Sequence, residues 1–301
     1  LFLLQERHQK MAKRSMVVAA VFGFIASVFV GITGDEAAFS VAHRQPMKLA
    51  AMEGLYVGQE KAPIVAMGII NSNKKPGDDL PAFYQATKIP GLLSMLANRD
   101  PNSFVPGIND LVFGNAERNI VGAEQRMVTG KIALAELARY KYARTKGDGA
   151  EAAAALALFD QHKGDLGYGY LNSPAEAAPP VATTFYSFHI MVVLGTLFPV
   201  IFLMVLYFAF KGTLEYQRWL NLACFFSIFL GYVAQQAGWV VAEVGRQPWA
   251  IQGLLPVGVA STNIAVGNVQ TTFFMFLTLF TALLVAEIRI MIKQIKIGPE
   301  A

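Results

Sequence analysis

Charge is scarce in this sequence and cysteine is nearly absent. Only 15% of the 301 residues are charged, where an ordinary globular domain carries about 25%. The single cysteine, Cys224, lies in an apolar run, so neither an internal disulfide nor a cysteine metal cluster can form. The net charge of +4 is spread thinly. It makes no clustered basic face, and nucleic acid is not an expected partner. A phosphate-binding loop, a Gly-rich dinucleotide fingerprint, a His-Glu-x-x-His motif and a nucleophile elbow are all missing, as is any internal repeat. Hydrophobic side chains, by contrast, make up 54% of the chain, and Phe alone occurs 22 times against 21 Asp plus Glu. The mean hydropathy is +0.41. This balance excludes disordered, collagen-like and disulfide-scaffold classes and points to lipid.

Four apolar stretches approach the roughly 20 residues that a bilayer requires. They run from Ser15 to Thr33, from about Thr184 to Phe210, from Trp219 to Ala242 and from Val269 to Ala286. None alternates with period two, so helices rather than barrel strands are expected. The fold class that follows is an all-α integral membrane protein. Arg7, Lys10, Lys13 and Arg14 precede the first span, Lys211 and Arg218 separate the second and third, and Arg289, Lys293 and Lys296 follow the fourth. The short opposite connection, Glu243 to Asn268, carries only Arg246. Basic residues mark the cytoplasmic side, which places both ends there. The sequence opens on Leu1, without the basic start and small-residue cleavage site of a signal peptide, and reads as part of a longer protein.

Three regions follow: 1–33 as flank and first span, 34–183 as a long extracytoplasmic loop, and 184–301 as three further spans with a cytoplasmic tail. Pro and Gly punctuate the loop from Lys61 to Gly107. From Ala123 to Arg144, Met127, Ile132, Leu134, Leu137 and Tyr140 recur at helical spacing. The Ala-rich segment Glu151 to Leu158 reads as another helix, and Ser173 to Pro180 as a linker back to the membrane. Loops this long usually carry function or dock a partner.

Ionisable residues at a membrane edge are costly, and chemistry is sought there first. One cluster is Gly34-Asp35-Glu36 together with the segment Arg44 to Gly54. If Pro46 opens a helix, Gln45 and Lys48 share a face. A carboxylate near a lysine and an amide can hold a ring with two oxygens, donating to one and taking its proton. A second cluster closes the third span, where Trp239, Glu243 and Arg246 fall on one helical face. There a carboxylate can ligate a metal or accept a proton, and an arginine can hold an anionic group. The third is His189 with Met191, about 200° apart around a helix and so unable to meet one iron from the same side. Each cluster also has an ordinary structural reading: a solvated mixed-charge edge, an interfacial Glu–Arg pair between belt tryptophans, and a methionine filling the core. His8, His43 and His162 are scattered and read as surface residues.

Several blocks carry a resemblance. Ala-Gly-Trp-Val-Val-Ala-Glu at 237–243 and Gly-Arg-Gln-Pro-Trp at 245–249 resemble subunit I of the cytochrome bd-type quinol oxidases. Lys-Leu-Ala-Ala-Met-Glu-Gly at 48–54 resembles the start of that family's quinol loop. Asp-Leu-Gly-Tyr-Gly at 165–169 and Phe-His-Ile-Met-Val at 188–192 fit in the same order. The resemblance covers nearly the whole chain and matches the last four of about nine spans in the family.

It implies that Glu243 is the axial ligand of the high-spin haem b (b595) and Met191 an axial ligand of the low-spin haem b (b558). The third haem would be haem d or another haem b. It further implies that Lys48 and Glu53 bind quinol and act on it, with Asp35 and Gln45 in the same pocket. Trp239 and Arg246 would pack on the haems, Arg246 against propionates. Position 189 is more usually Arg in the family; His189 would meet a propionate in its place when protonated. Implied partners are an integral subunit II, a small single-span subunit, the N-terminal half of subunit I, quinol and O2. The implied setting is a bacterial or archaeal cytoplasmic membrane. The competing expectation is a truncated paralogue or assembly protein that binds no haem, which the retained Met191, Glu243 and Arg246 oppose.

Overall fold

In the computed structural model of the chain, residues 2–262 and 264–298 are described. The chain forms α1 (Gln9–Arg44), α2 (Pro46–Glu53), β1 (Gln59–Glu60), β2 (Ile64–Ile70), β3 (Phe83–Ile89), α3 (Leu92–Asn98), β4 (Phe104–Val105) and α4 (Ile108–Phe113). There follow α5 (Ala123–Lys146), α6 (Gly149–His162), α7 (Val181–Phe210), α8 (Arg218–Glu243), β5 (Trp249–Ile251), β6 (Leu255–Pro256) and α9 (Val266–Ile297). Four helices, those containing the expected spans, are long and apolar enough to cross a membrane. The protein is a multi-pass, predominantly helical membrane protein.

Two compact units are present, residues 1–259 and 260–301. In the first, α7 packs against both α1 and α8. Pro199 sits inside α7, a break in the hydrogen-bond ladder that membrane helices tolerate. The second unit consists mainly of α9, none of whose residues is buried.

The first helix departs from the sequence expectation. It continues past Thr33 to Arg44, so Asp35 and Glu36 are helical instead of following the span. At about 1.5 Å per residue, 36 residues reach far beyond the apolar layer. The helix stops where Pro46 disfavours the helical conformation of the preceding residue. Gln45 leaves the helical conformation at φ -138, ψ 57, and its N–H closes the last turn on the Val41 carbonyl at 2.8 Å.

The region between α1 and α7 has its own packed interior. Leu49, Ala62, Leu93, Ala97 and Val105 form one core, and Ala50, Tyr56, Ile108 and Val112 another. It also contains an antiparallel hairpin, β2–β3, where the all-α expectation has no strand. The β-branched run Ile-Val-Ala-Met-Gly-Ile-Ile suits a strand, and Val65 and Ile70 are its buried members. Helices α5 and α6 fall on the two segments expected to be helical and pack against each other. The Ser173–Pro180 linker holds a 3-10 turn, Pro174–Ala177.

Candidate functional site

The membrane-edge residues meet around α2. Pro46 stands at its first position, where the missing N–H would have no helical partner anyway. Gly54 ends it at φ +60. A Cβ there would lie 2.7 Å from the Phe83 ring, so glycine serves both the left-handed turn and the close approach. Leu49 through Glu53 are all buried. Lys48 and Glu53 are five positions apart, about 140° around the helix, and they leave α2 by different faces.

On one face Glu53 is only 3% exposed. Its Oε2 accepts the Val65 N–H at 3.2 Å, and the Val65 carbonyl lies 2.7 Å from Nε2 of His189. One residue of β2 therefore joins Glu53 to α7. The other ring nitrogen of His189 is 2.9 Å from the Phe185 carbonyl, so each nitrogen faces an acceptor, and a neutral ring donates to only one at a time. The His189 ring lies against Phe185 with centroids 4.0 Å apart. Burial pushes the Glu53 carboxyl up to about 7, against the opposing pull of the Val65 N–H and of charge on His189. A carboxyl poised near neutrality can both take and release a proton. Beside His189 lies a cleft of about 450 Å³ lined by Met67, Phe185, Ile190, Val193, Leu194 and Leu230 among others, nearly all apolar.

The other face of α2 turns to the end of α8. A Cβ on Gly245 would lie 3.3 Å from Lys48 Cε and 3.2 Å from Thr184 Cγ2, so the missing side chain lets α2, α7 and the end of α8 meet. Burial and the like charge of Arg246 hold the Lys48 ammonium below the usual lysine range, and Glu243 partly offsets them. Arg246 donates to Glu243 Oε2 at 2.6 Å, and Gln247 donates to the Glu243 carbonyl at 3.2 Å. Arg246 Nε and Gln45 Oε1 are buried with no partner among the described residues. On α7, the Met191 Sδ lies 3.3 Å from the point where a Cβ on Gly238 would stand. Trp239 is exposed, whereas Trp249 is buried against Tyr168 at 4.7 Å. The Gly167 N–H donates to the Gly253 carbonyl at 3.0 Å. The segment after α8 is thereby anchored to the Asp-Leu-Gly-Tyr-Gly turn.

Asp35 stands apart from both faces. Its exposed carboxylate accepts from Arg99 at 2.8 Å, as Glu36 does at 3.4 Å. It precedes Gln45 by ten residues of one helix, about 15 Å along the axis. The resemblance places Asp35 in one pocket with Lys48 and Glu53; among the described residues its carboxylate is held by Arg99, and α1, which carries it, runs straight through the segment read as loop. Val65, Gly238 and Arg99 have no signature in the sequence; only the unpartnered acidic pair at 35–36 hints that a cation must come from elsewhere.

Comparison with known proteins bears on the whole chain. The family profile described as cytochrome bd terminal oxidase subunit I matches residues 1–299. The cytochrome bd-II ubiquinol oxidase subunit 1 of Escherichia coli (strain K12) is 32% identical over 317 residues, covering 100% of this chain and 58% of that protein. The cytochrome bd ubiquinol oxidase subunit 1 of Bacillus subtilis (strain 168) is 27% identical over 301 residues, covering 99% and 52%. The solved bd oxidase from Geobacillus thermodenitrificans shares the fold with a TM-score of 0.61 at 24% identity, over 97% of this chain and 50% of that one. The chain thus spans little more than half the length of these relatives. Matched along nearly its whole length by the family profile, the chain belongs to the cytochrome bd terminal oxidase subunit I family.

Proposed function

We propose that this chain supplies the quinol-oxidising part of a quinol:oxygen oxidoreductase, a respiratory terminal oxidase of the cell membrane. The observation that carries the reading is Glu53, a buried carboxyl held near neutrality and joined through Val65 to His189 on the helix that bears Met191. The apolar cleft beside His189 suits the hydrocarbon tail of a quinol. In this reading Glu53 is the base that takes a quinol proton, and Lys48 and Gln45 donate to the oxygens of the bound ring.

Family membership implies haem, and the donor set fits. Met191 presents a thioether toward the gap left by Gly238, and Arg246 keeps a buried Nε without a partner among the described residues. Met191 would hold the low-spin haem b and Glu243 the high-spin haem b, with Arg246 near an anionic edge of the group and Trp239 and His189 alongside. Bound haems would supply one-electron transfer and the reduction of O2 to water.

In this reading the long region between α1 and α7 lies outside and both ends lie in the cytoplasm, which the basic-residue asymmetry supports. Quinol protons would leave outside while the protons of water come from the cytoplasm, so turnover would charge the membrane without a pump. Subunit II, the remaining part of subunit I and a small single-span subunit are the proposed partners. The test is a reduced-minus-oxidised visible spectrum of the complex purified through this chain. Low-spin haem b bands that vanish in Met191→Leu support the reading. A flat spectrum from folded protein would leave a haemless paralogue.

A further inference from the structure

Glu53 lies between two cavities of opposite character. Toward the membrane helices, beyond Val65 and His189, is the apolar cleft. On the other side Glu53 itself lines a cavity of about 240 Å³ together with Tyr56, Gln59, Lys74 and Lys88. Its inner end is a carboxyl only 3% exposed, while Gln59 and Lys88 stand in open solvent. The space has room for several waters at roughly 30 Å³ each, and polar atoms are present to bind them. The Lys74 ammonium, 6% exposed, is occupied by the Asp78 carboxylate at 2.8 Å and by the Asp78 carbonyl, and it lies 5.2 Å from the centre of the Tyr56 ring. Its charge is thus balanced within the wall. Lys88, at the outer end, lies over the Phe83 ring at 5.4 Å.

We propose that this cavity is the proton exit of the quinol site, carrying protons from Glu53 to bulk water past Gln59 and Lys88. The proposal rests on the reading of Glu53 as the quinol's base. Oxidation of one quinol releases two electrons, which pass to the haem acceptor, and two protons. Each proton leaves as a quinol O–H bond breaks and an O–H bond forms on the Glu53 carboxylate. That bond breaks in turn as the proton moves to cavity water, and the carboxylate is restored for the next. A buried base needs such a conduit: Val65 and the α7 histidine stand on one side, and on the other the cavity leads from the carboxyl toward exposed Gln59 and Lys88. The titratable and charged groups around it are His189 from α7, Lys88 from β3, and Tyr56, Lys74 and Asp78 from the connecting segments.

The test plugs the mouth of the cavity in the complete complex. Gln59→Cys, and as a control Gln161→Cys on the exposed face of α6, are each compared before and after reaction with a bulky neutral thiol reagent. The expected result is a roughly tenfold fall in kcat on labelling at position 59, with quinol KM unchanged. Millimolar formate, a small proton carrier, should restore part of the loss, and labelling at position 161 should change nothing. Full turnover after labelling position 59, in a complex where Glu53→Gln is inactive, overturns the exit route and leaves the role of Glu53 standing. A raised KM without rescue overturns it too, since the plug would then act on quinol binding. Full turnover in Glu53→Gln removes the parent reading and this proposal together.

Discussion

The two faces of α2 use the same helix to opposite electrostatic ends. On the Lys48 face, three ionic groups meet at the end of α8: Lys48, Arg246 and Glu243. Their charges partly cancel, yet Arg246 Nε and Gln45 Oε1 remain without partners among the described residues. On the Glu53 face a single carboxyl is taken out of water, given one N–H, and shifted toward neutrality. A charge-rich edge of this kind suits the binding and orientation of a polar group. A desolvated lone carboxyl transfers protons, because its two forms are close in free energy near pH 7. In the proposed reading, five residues of helix separate binding from proton transfer.

That division can be broken most directly at Glu53. Glu53→Gln keeps the shape and the acceptor for Val65 but cannot ionise, so quinol turnover should fall about 100-fold or more while the haem spectrum is retained. Oxygen uptake with quinol as donor measures it, and near-normal turnover would end the assignment of Glu53 as base. Lys48→Ala should cost about tenfold, chiefly in KM, since it removes a binding donor and no proton acceptor. Because the faces are separate, Lys48→Ala should raise KM by the same factor in the wild type and in Glu53→Gln. Strong coupling between the two would mean that both groups act on one point.

A smaller effect tests the environment of Glu53 by itself. Its folded-state carboxyl holds a proton up to about 7, against 4.5 for an ordinary glutamate. Between those values the unfolded chain binds fewer protons than the folded one. The stabilisation is therefore fully present below pH 4.5 and lost as pH rises through 7. Thermal melting of the complex should decline over that window, and Glu53→Gln should flatten the decline. The smallest expected change is Gly54→Ala. At φ +60 and beside Phe83 it should destabilise by about 1 kcal/mol or more, shifting Tm without altering the haem bands.

Much of the scaffold is legible in the amino-acid sequence. The four spans, the helices over 123–144 and 151–158 and the opening of α2 at Pro46 all follow from apolar length, period 3.6 and the missing N–H of proline. The hairpin β2–β3 is not legible, because seven mostly apolar residues in a row look alike in a strand and in a buried helix until the partner strand is known. The continuation of α1 to Arg44 is hidden by Gly34 and the acidic pair after it, which resemble a span's end. Those residues instead prolong the helix into water and pair with Arg99 of the α3 terminus.

Linear spacing and hydrophobic length suffice to make this a helical membrane protein and to bring Lys48, Glu53, Met191 and Glu243 to or near membrane edges. They carry that information because burying a charge or an unpaired peptide group in lipid is penalised locally, residue by residue. Which of those residues meet is a matter of packing in three dimensions. Lys48 turns to the Arg246–Glu243 pair, Glu53 turns to Val65 and His189, and Asp35 goes elsewhere. Those outcomes depend on how α2 is wedged between β2, α7 and the end of α8, through close approaches at Gly54 and Gly245. Contacts between residues more than a hundred positions apart are set by that packing, and no local pattern encodes them.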